Sequence, residues 1–482
     1  MGTSVMSARS LIVVGAGPAG LGAAIEAARA GLRCTLLDEA AHLGGQIYRP
    51  PPPEFRISNT RLLGRDFARG ERLREEFATV ADRVNVTSGA SVVGLWDGGR
   101  EVVWTDGRAS TTLRTDCLIL ATGAYERPIP FPGWTLPGVI TAGGAQTLVK
   151  TLGIRPGRRA LIAGTGPLLL VVANQLHKAG VEIVAVLEAG KPSWSPTQLP
   201  QVFGEWDLLR DAWEYWRGLR RARIPLLFNH TVFEAHGDEG VTAATYGPVD
   251  SVDWTPRRER AVRVEVDHIV VGFGFVPNTQ LTESAGCRHE YVHELGGWIP
   301  TRSGFMETTT PGLFAVGDGA GVAGSAVAVQ EGRIAGITAA AQAGVIDPAE
   351  ADRRREGPLK RLRSLTRVRR ILDEMSRIRL GLNALATPDT LVCRCEEVAL
   401  REVKAAVAQG ARDLQTVKLL TRLGMGQCQG RNCAPSTAMI MSGALAYEPS
   451  SAGRINPRPP VSPVTLGALA RMRPAEDEVA DA

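Results

Sequence analysis

A chain of 482 residues with 44% hydrophobic and 22% charged side chains has ordinary globular composition and the length of about three domains. Its 54 glycines fall in short clusters rather than a fixed repeat, which excludes collagen-like and low-complexity architectures. A net charge of +5 is too mild to argue for nucleic acid, and no apolar run reaches the ~20 residues of a membrane span. The N-terminus lacks the apolar stretch of a signal peptide, so a cytoplasmic location is expected. Seven cysteines in such a compartment point to metal or redox chemistry rather than a disulfide framework.

Residues 11–39 read as strand, glycine turn, helix, strand. In GAGPAG, Gly15 permits the tight turn and Gly17 lets a pyrophosphate approach the backbone. Gly20 allows close helix–strand packing, and Pro18 and Ala19 open the helix whose N-terminus faces the phosphates. Asp38, 23 residues after Gly15, is placed to bind the adenosine ribose, with Glu39 the candidate if the strand ends one residue later.

A comparable unit begins at Arg159. GTGPLL keeps Gly164 and Gly166 but puts Leu169 where a third small residue should sit, which is expected to push the helix from the strand and narrow the phosphate site. Glu188 supplies a ribose-binding carboxylate that would disfavour a 2′-phosphate. An NAD site, a site for another adenine nucleotide, and a retained fold without ligand stand as alternatives. Phe203, Trp206, Trp213 and Trp216 share one helical face, read as core packing or as a contact between subunits.

Nine Lys or Arg between Arg353 and Arg370 mark a charged connector carrying a helix, read as a solvated face or as a partner-docking surface. Next come Cys393 and Cys395, and then, after 32 intervening residues, Cys428 and Cys433. Four thiolates suit an iron–sulfur cluster, a closed zinc site, or a structural role, with CxC spacing unusual for zinc. The Pro-rich, then acidic, tail from Ser450 is expected to be irregular.

Three further strings extend the pattern: Gly44-Gly45-Gln46, Ala121-Thr122-Gly123 and Gly317-Asp318. With GAGPAG they resemble the two-dinucleotide-domain flavoproteins of the thioredoxin and glutathione reductase class. The resemblance implies an α/β fold with FAD at the first loop, Asp318 on the ribityl–phosphate part and Gly45 along the cofactor. No CxxC stands near the flavin strings, so electrons cannot leave through a redox dithiol there. The segment VCRCEEV…GMGQCQGRNC resembles the bacterioferritin-associated ferredoxin-like domain, implying a [2Fe–2S] cluster on Cys393, Cys395, Cys428 and Cys433. Its second pair has four intervening residues where the small ferredoxin has two.

From about Leu11 to Met441 the chain is similar to the larger FAD-containing component of heteromeric amino-acid and opine dehydrogenases. That group includes the larger components of opine oxidases, hydrogen cyanide synthases and hydroxyproline dehydrogenases. The resemblance implies a discontinuous FAD-binding domain (8–126 and 291–345), an NAD-binding-like domain (127–290), the basic connector (346–390), a small helical [2Fe–2S] domain (391–445) and the tail (446–482). It also implies a substrate-oxidising flavoprotein beta subunit and, as often in such complexes, a small ferredoxin-like gamma subunit; FMN at the boundary between subunits is left open by the sequence. The chain would then relay electrons rather than bind substrate, and no catalytic base is assigned. A self-contained NADH-dependent reductase is the alternative.

Overall fold

The computed structural model describes residues 10–52, 54–55, 65–191 and 206–473. Each strand–glycine–helix–strand passage lies at the centre of a five-stranded parallel sheet. The first runs in the order Leu313–Ala315, Cys117–Leu120, Leu11–Val14, Cys34–Asp38, Val84–Ser88. Leu11–Val14 is buried throughout, as a strand covered on both faces must be, which is why it reads as an unbroken apolar run. The second runs Leu226–Phe228, Glu182–Glu188, Arg159–Gly164, His268–Gly272, Val139–Thr141.

Small residues bring two helices to backbone contact beneath the first sheet. A Cβ at Gly332 would lie 1.9 Å from the Ala19 carbonyl, and one at Gly336 would lie 2.2 Å from that of Ala23. Helices Pro18–Arg29 and Ser325–Gln342 can therefore pack only while these positions stay glycine. The two halves are joined by an antiparallel pair, Ala124–Glu126 with Phe275–Pro277, which follows one strand of each sheet.

The connector forms one helix, Pro348–Ser376, capped by Asp347. It is not solvated throughout. Arg355 is buried and bonds Thr338 Oγ1 and Asp352. The cysteine segment builds a short hairpin, Leu391–Cys393 with Val398–Ala399, and helices Leu400–Ala408, Leu414–Thr421 and Cys433–Leu445 around an apolar cluster of its own.

Two expectations fail here for stated reasons. The tail is not wholly irregular: Val461 is buried and its amide bonds Val93 O, and Met472–Arg473 adds a parallel strand to Ser110–Arg114. Its few apolar residues suffice because they land on an existing sheet edge. Trp213 and Trp216 do not pack in the core. They stand exposed, with ring centroids 5.0 Å apart, on the helix Trp206–Arg221. Their spacing put them on one face, but periodicity does not say which side that face meets; Phe203 lies outside the described residues. No helix of the described residues is long and apolar enough to cross a membrane.

Candidate functional site

A cleft of about 900 Å3 opens between the two sheets, at the upper end of the size range of cofactor clefts. Its wall contains Gly15, Gly17, Pro18, Ala19, Asp38, Glu39, Gly45, Gln46, Ala121, Thr122, Gly123, Gly317 and Asp318. Gly20 lies behind the wall. A Cβ there would sit 1.7 Å from the Gly15 carbonyl, so it sets helix against turn. Gly15, with φ +100°, touches Ala121 so closely that a Cβ would fall 2.4 Å from its carbonyl oxygen. Asp38 ends its strand, is buried, and accepts the amides of Ala16 and Ala40 (2.7 Å from the latter). Glu39 is exposed just beyond it.

The residues present fit a dinucleotide. Gly17 has an ordinary φ of −75°, and a Cβ there would meet nothing closer than Gly45 Cα at 3.8 Å. The fold itself does not require glycine at this point; what requires it is whatever lies in the cleft. Two buried polar atoms of the wall, Arg49 Nε and Glu126 Oε2, also have no protein partner. An unpaired buried polar atom is costly, and a polar ligand relieves that cost.

The Gly317-Asp318 turn is held from behind. Asp318 Oδ1 accepts the amides of Ala323 and Gly324, both at 2.9 Å, where helix Ser325–Gln342 begins. Glu331, one turn and a half into that helix, takes the Gly317 amide at 2.8 Å and a two-pronged ion pair from Arg302 at 2.7 and 2.9 Å. Glu331 is 5% exposed, so neither partner can be removed without stranding a buried charge. Glu331→Ala is expected to cost about 3 kcal/mol and to loosen the Asp318 turn. A fall in the urea midpoint together with loss of bound flavin on gel filtration checks this.

The second glycine loop faces the same cleft through Gly166, Pro167 and Leu168, while Gly164 and Glu188 lie behind it. Leu169 does not obstruct the loop. It turns into the core, 1% exposed, against Gly272, where even a Cβ would come within 3.1 Å of it. Glu188 repeats the role of Asp38, accepting Gly166 N at 2.8 Å and Gly190 N at 3.1 Å. Burial pushes its carboxyl up from the ordinary 4.5 to about 7. A pKa raised on folding contributes stability that is full below about 4.5 and lost as pH rises through about 7. The stability of the wild type relative to Glu188→Gln is therefore expected to fall between those limits by no more than about 3 kcal/mol. Urea unfolding at pH 5, 6, 7 and 8 measures it, and a difference flat in pH contradicts it.

The four cysteines come together as two close pairs. Cys433 donates to Cys393, and that hydrogen bond, with the amides of Gly424, Glu396 and Cys395, holds the Cys393 thiol down near 5. The same pairing, and burial, push Cys433 far up. Cys395 pairs with Cys428, and burial raises its thiol. Gly426 is pressed against Cys395, where a Cβ would lie 2.5 Å from the cysteine's own. Among the described residues no group of three or more His, Cys, Asp or Glu is arranged to hold a metal ion, so the pairs stand as pairs. Cys34, Cys117 and Cys287 are buried elsewhere.

The segment docks on the cleft. Arg431, between Cys428 and Cys433, donates to Tyr125 Oη at 2.6 Å and to Val461 O at 2.7 Å. Both Tyr125 and Arg431 line the large cleft. Trp134 Nε1 bonds Leu391 O at 2.7 Å, and Ser436 bonds Pro128 O at 2.6 Å.

Residues 9–344 match the family described as pyridine nucleotide-disulphide oxidoreductase. The chain belongs to that family. It is accordingly a FAD-dependent oxidoreductase. Residues 387–473 match the sarcosine oxidase A3 domain, a match that takes in both the cysteine segment and the tail strand that pairs with Ser110–Arg114. The chain is 36% identical to the HcnB subunit of hydrogen cyanide synthase from Pseudomonas aeruginosa, over 95% of this chain and 97% of that one. It is 33% identical to the first-lettered of the opine oxidase subunits of Agrobacterium tumefaciens, over 96% and 91%. The alpha subunit of Corynebacterium sarcosine oxidase is 24% identical and more than twice as long, the match covering 45% of it. Among solved structures, the L-proline dehydrogenase of P. horikoshii shares the fold across 96% of this chain and 79% of that one, with a TM-score of 0.69 at 21% identity.

Sequence reasoning missed Arg302, Glu331, Tyr125 and Arg431. Glu331 carried a signal, since an acid in a helix of alanines, glycines and β-branched residues must find a partner when buried. The Tyr125–Arg431 contact, 306 residues apart, carried none.

Proposed function

We propose that this chain is the FAD-dependent electron-transfer subunit of a heteromeric dehydrogenase or oxidase acting on the C–N bond of an amino acid, hydroxyproline or opine. FAD is assigned to the cradle of Gly15, Gly17, Asp38, Gly45, Thr122 and Asp318, and a [2Fe–2S] cluster to Cys393, Cys395, Cys428 and Cys433. The observation that carries the reading is the contact of Arg431, inside the second cysteine pair, with Tyr125 on the cleft wall. When bound, FAD takes two electrons as a hydride and a [2Fe–2S] cluster carries one at a time, so the two together turn a two-electron oxidation into single-electron delivery.

The chain's own residues serve that end by position. Asp38 and Glu331 fix the two loops that cradle the dinucleotide, and Arg431 fixes the thiols beside it. The donor set fits the cluster in kind and number, four thiols in two pairs, and cluster assembly would draw the pairs into one site. Support for partner chains comes from relatives named as subunits. We place substrate oxidation on a flavoprotein beta subunit, with FMN at the boundary; a small ferredoxin-like gamma subunit completes the assembly. A second reading, an NADH-dependent reductase, draws on Gly166, Pro167 and Leu168 facing the same cleft.

Iron, sulfide and FAD counted on anaerobically purified chain test the assignment, with electron paramagnetic resonance after dithionite. About two iron, two sulfide and one FAD per chain are expected. Zinc or no metal at the thiols overturns the cluster; absence of flavin overturns the whole reading.

A further inference from the structure

A second cavity, of about 110 Å3, lies where the helix Cys433–Leu445 meets the joining strands. It is smaller than the ~150 Å3 site that takes up benzene in an engineered core. Its charge is lopsided. Arg127, Arg431 and Arg454 all border it. Among the described residues no carboxylate pairs with Arg127, whose Nη2 donates only to the carbonyls of Gly296 at 2.8 Å and Phe275 at 3.4 Å. Arg454 Nη1 is buried with no hydrogen bond and lies 3.5 Å from Glu283. That carboxylate also accepts Thr279 Oγ1 at 2.6 Å, and it is the one carboxylate bordering the cavity against three arginines among the described residues. His293, also on the wall, is held towards its neutral form by burial and by Arg127.

Apolar residues share the lining. Trp298 lies under Arg454, with the guanidinium 4.9 Å from the ring centroid, and Ala434 and Ala438 face in one helical turn apart. A phosphate would need donors on every side. Guanidinium groups and apolar side chains lining one small cavity suit a planar carboxylate with a short carbon chain.

We propose that this cavity binds a short aliphatic carboxylate, of two to four carbons, through Arg127 and Arg454. Arg127, Arg431, Tyr125 and His293 border the large cleft as well, so the two cavities share a wall. The inference stands on the cavity alone and does not need the relay reading.

Equilibrium dialysis of the full FAD-loaded chain against labelled acetate and labelled pyruvate tests it, with no partner or turnover involved. A ligand of so few atoms should bind with a roughly millimolar dissociation constant, one per chain. Arg127→Met should weaken binding about tenfold or more by removing a fork. Ala438→Leu, which fills the space and keeps every charge, should do the same, and Trp298 fluorescence should respond to acetate in the wild type but not in Ala438→Leu. Should Arg127→Met fail to fold, Arg454→Met takes its place. No saturable binding by about 50 mM, binding unchanged by both changes, or inorganic phosphate displacing acetate at equal concentration would each overturn the proposal.

Discussion

Gly17→Val is expected to leave the protein folded and to empty it of FAD. The backbone at Gly17 is already one that valine adopts, and the nearest atom to a new Cβ is 3.8 Å away, so unfolding free energy should change by less than about 1 kcal/mol. The branched side chain would occupy the ground above the helix N-terminus that a pyrophosphate must approach, and affinity should drop by about 100-fold or more. Gly20→Val makes the contrast. Its Cβ would lie 1.7 Å from the Gly15 carbonyl, so the fold and the flavin should be lost together. Flavin absorbance per chain, read beside the urea midpoint, separates the two outcomes. A Gly17→Val protein that retains its FAD would show that the cofactor does not cross this loop.

Cys428→Ser should remove the iron and keep the flavin. The thiol lies in the pair with Cys395 and is no part of the dinucleotide cradle. With one of four ligands gone, delivery to a one-electron acceptor should fall by at least about 100-fold while substrate together with the partner flavoprotein still reduces the FAD. Cys287→Ser is the control, since that thiol sits in a separate core against Thr308 and Thr310 at 3.4 Å. Iron analysis and acceptor assays on both variants decide it. Full iron in Cys428→Ser would mean that the iron is held elsewhere.

The parts of the site legible in the sequence are those made locally. Gly15, Gly17 and Gly20 act within one turn, and Asp38 stands at the end of the very next strand, so a contiguous pattern identifies them. The four cysteines stand out in the sequence as two close spacings, but that Cys393 meets Cys433 and Cys395 meets Cys428 is not legible there. What escaped is what the topology brings together. Arg302 meets Glu331 across 29 residues, and Tyr125 meets Arg431 across 306, and no periodicity connects either pair. Where the Leu169 side chain goes was hidden for a related reason: the space it enters is left by Gly272, a residue on a different strand.

The central claim, that this chain relays electrons it does not itself take from a nicotinamide or an amine, is met most directly by anaerobic stopped-flow absorbance. The purified chain is mixed with NADH, then with an amino-acid or opine substrate, and then with the same substrate plus the partner flavoprotein. The account predicts an oxidised spectrum in the first two mixtures and reduction of flavin, followed by the thiol-bound centre, in the third. Bleaching by NADH alone on a catalytic timescale would contradict it and make the chain a self-contained reductase.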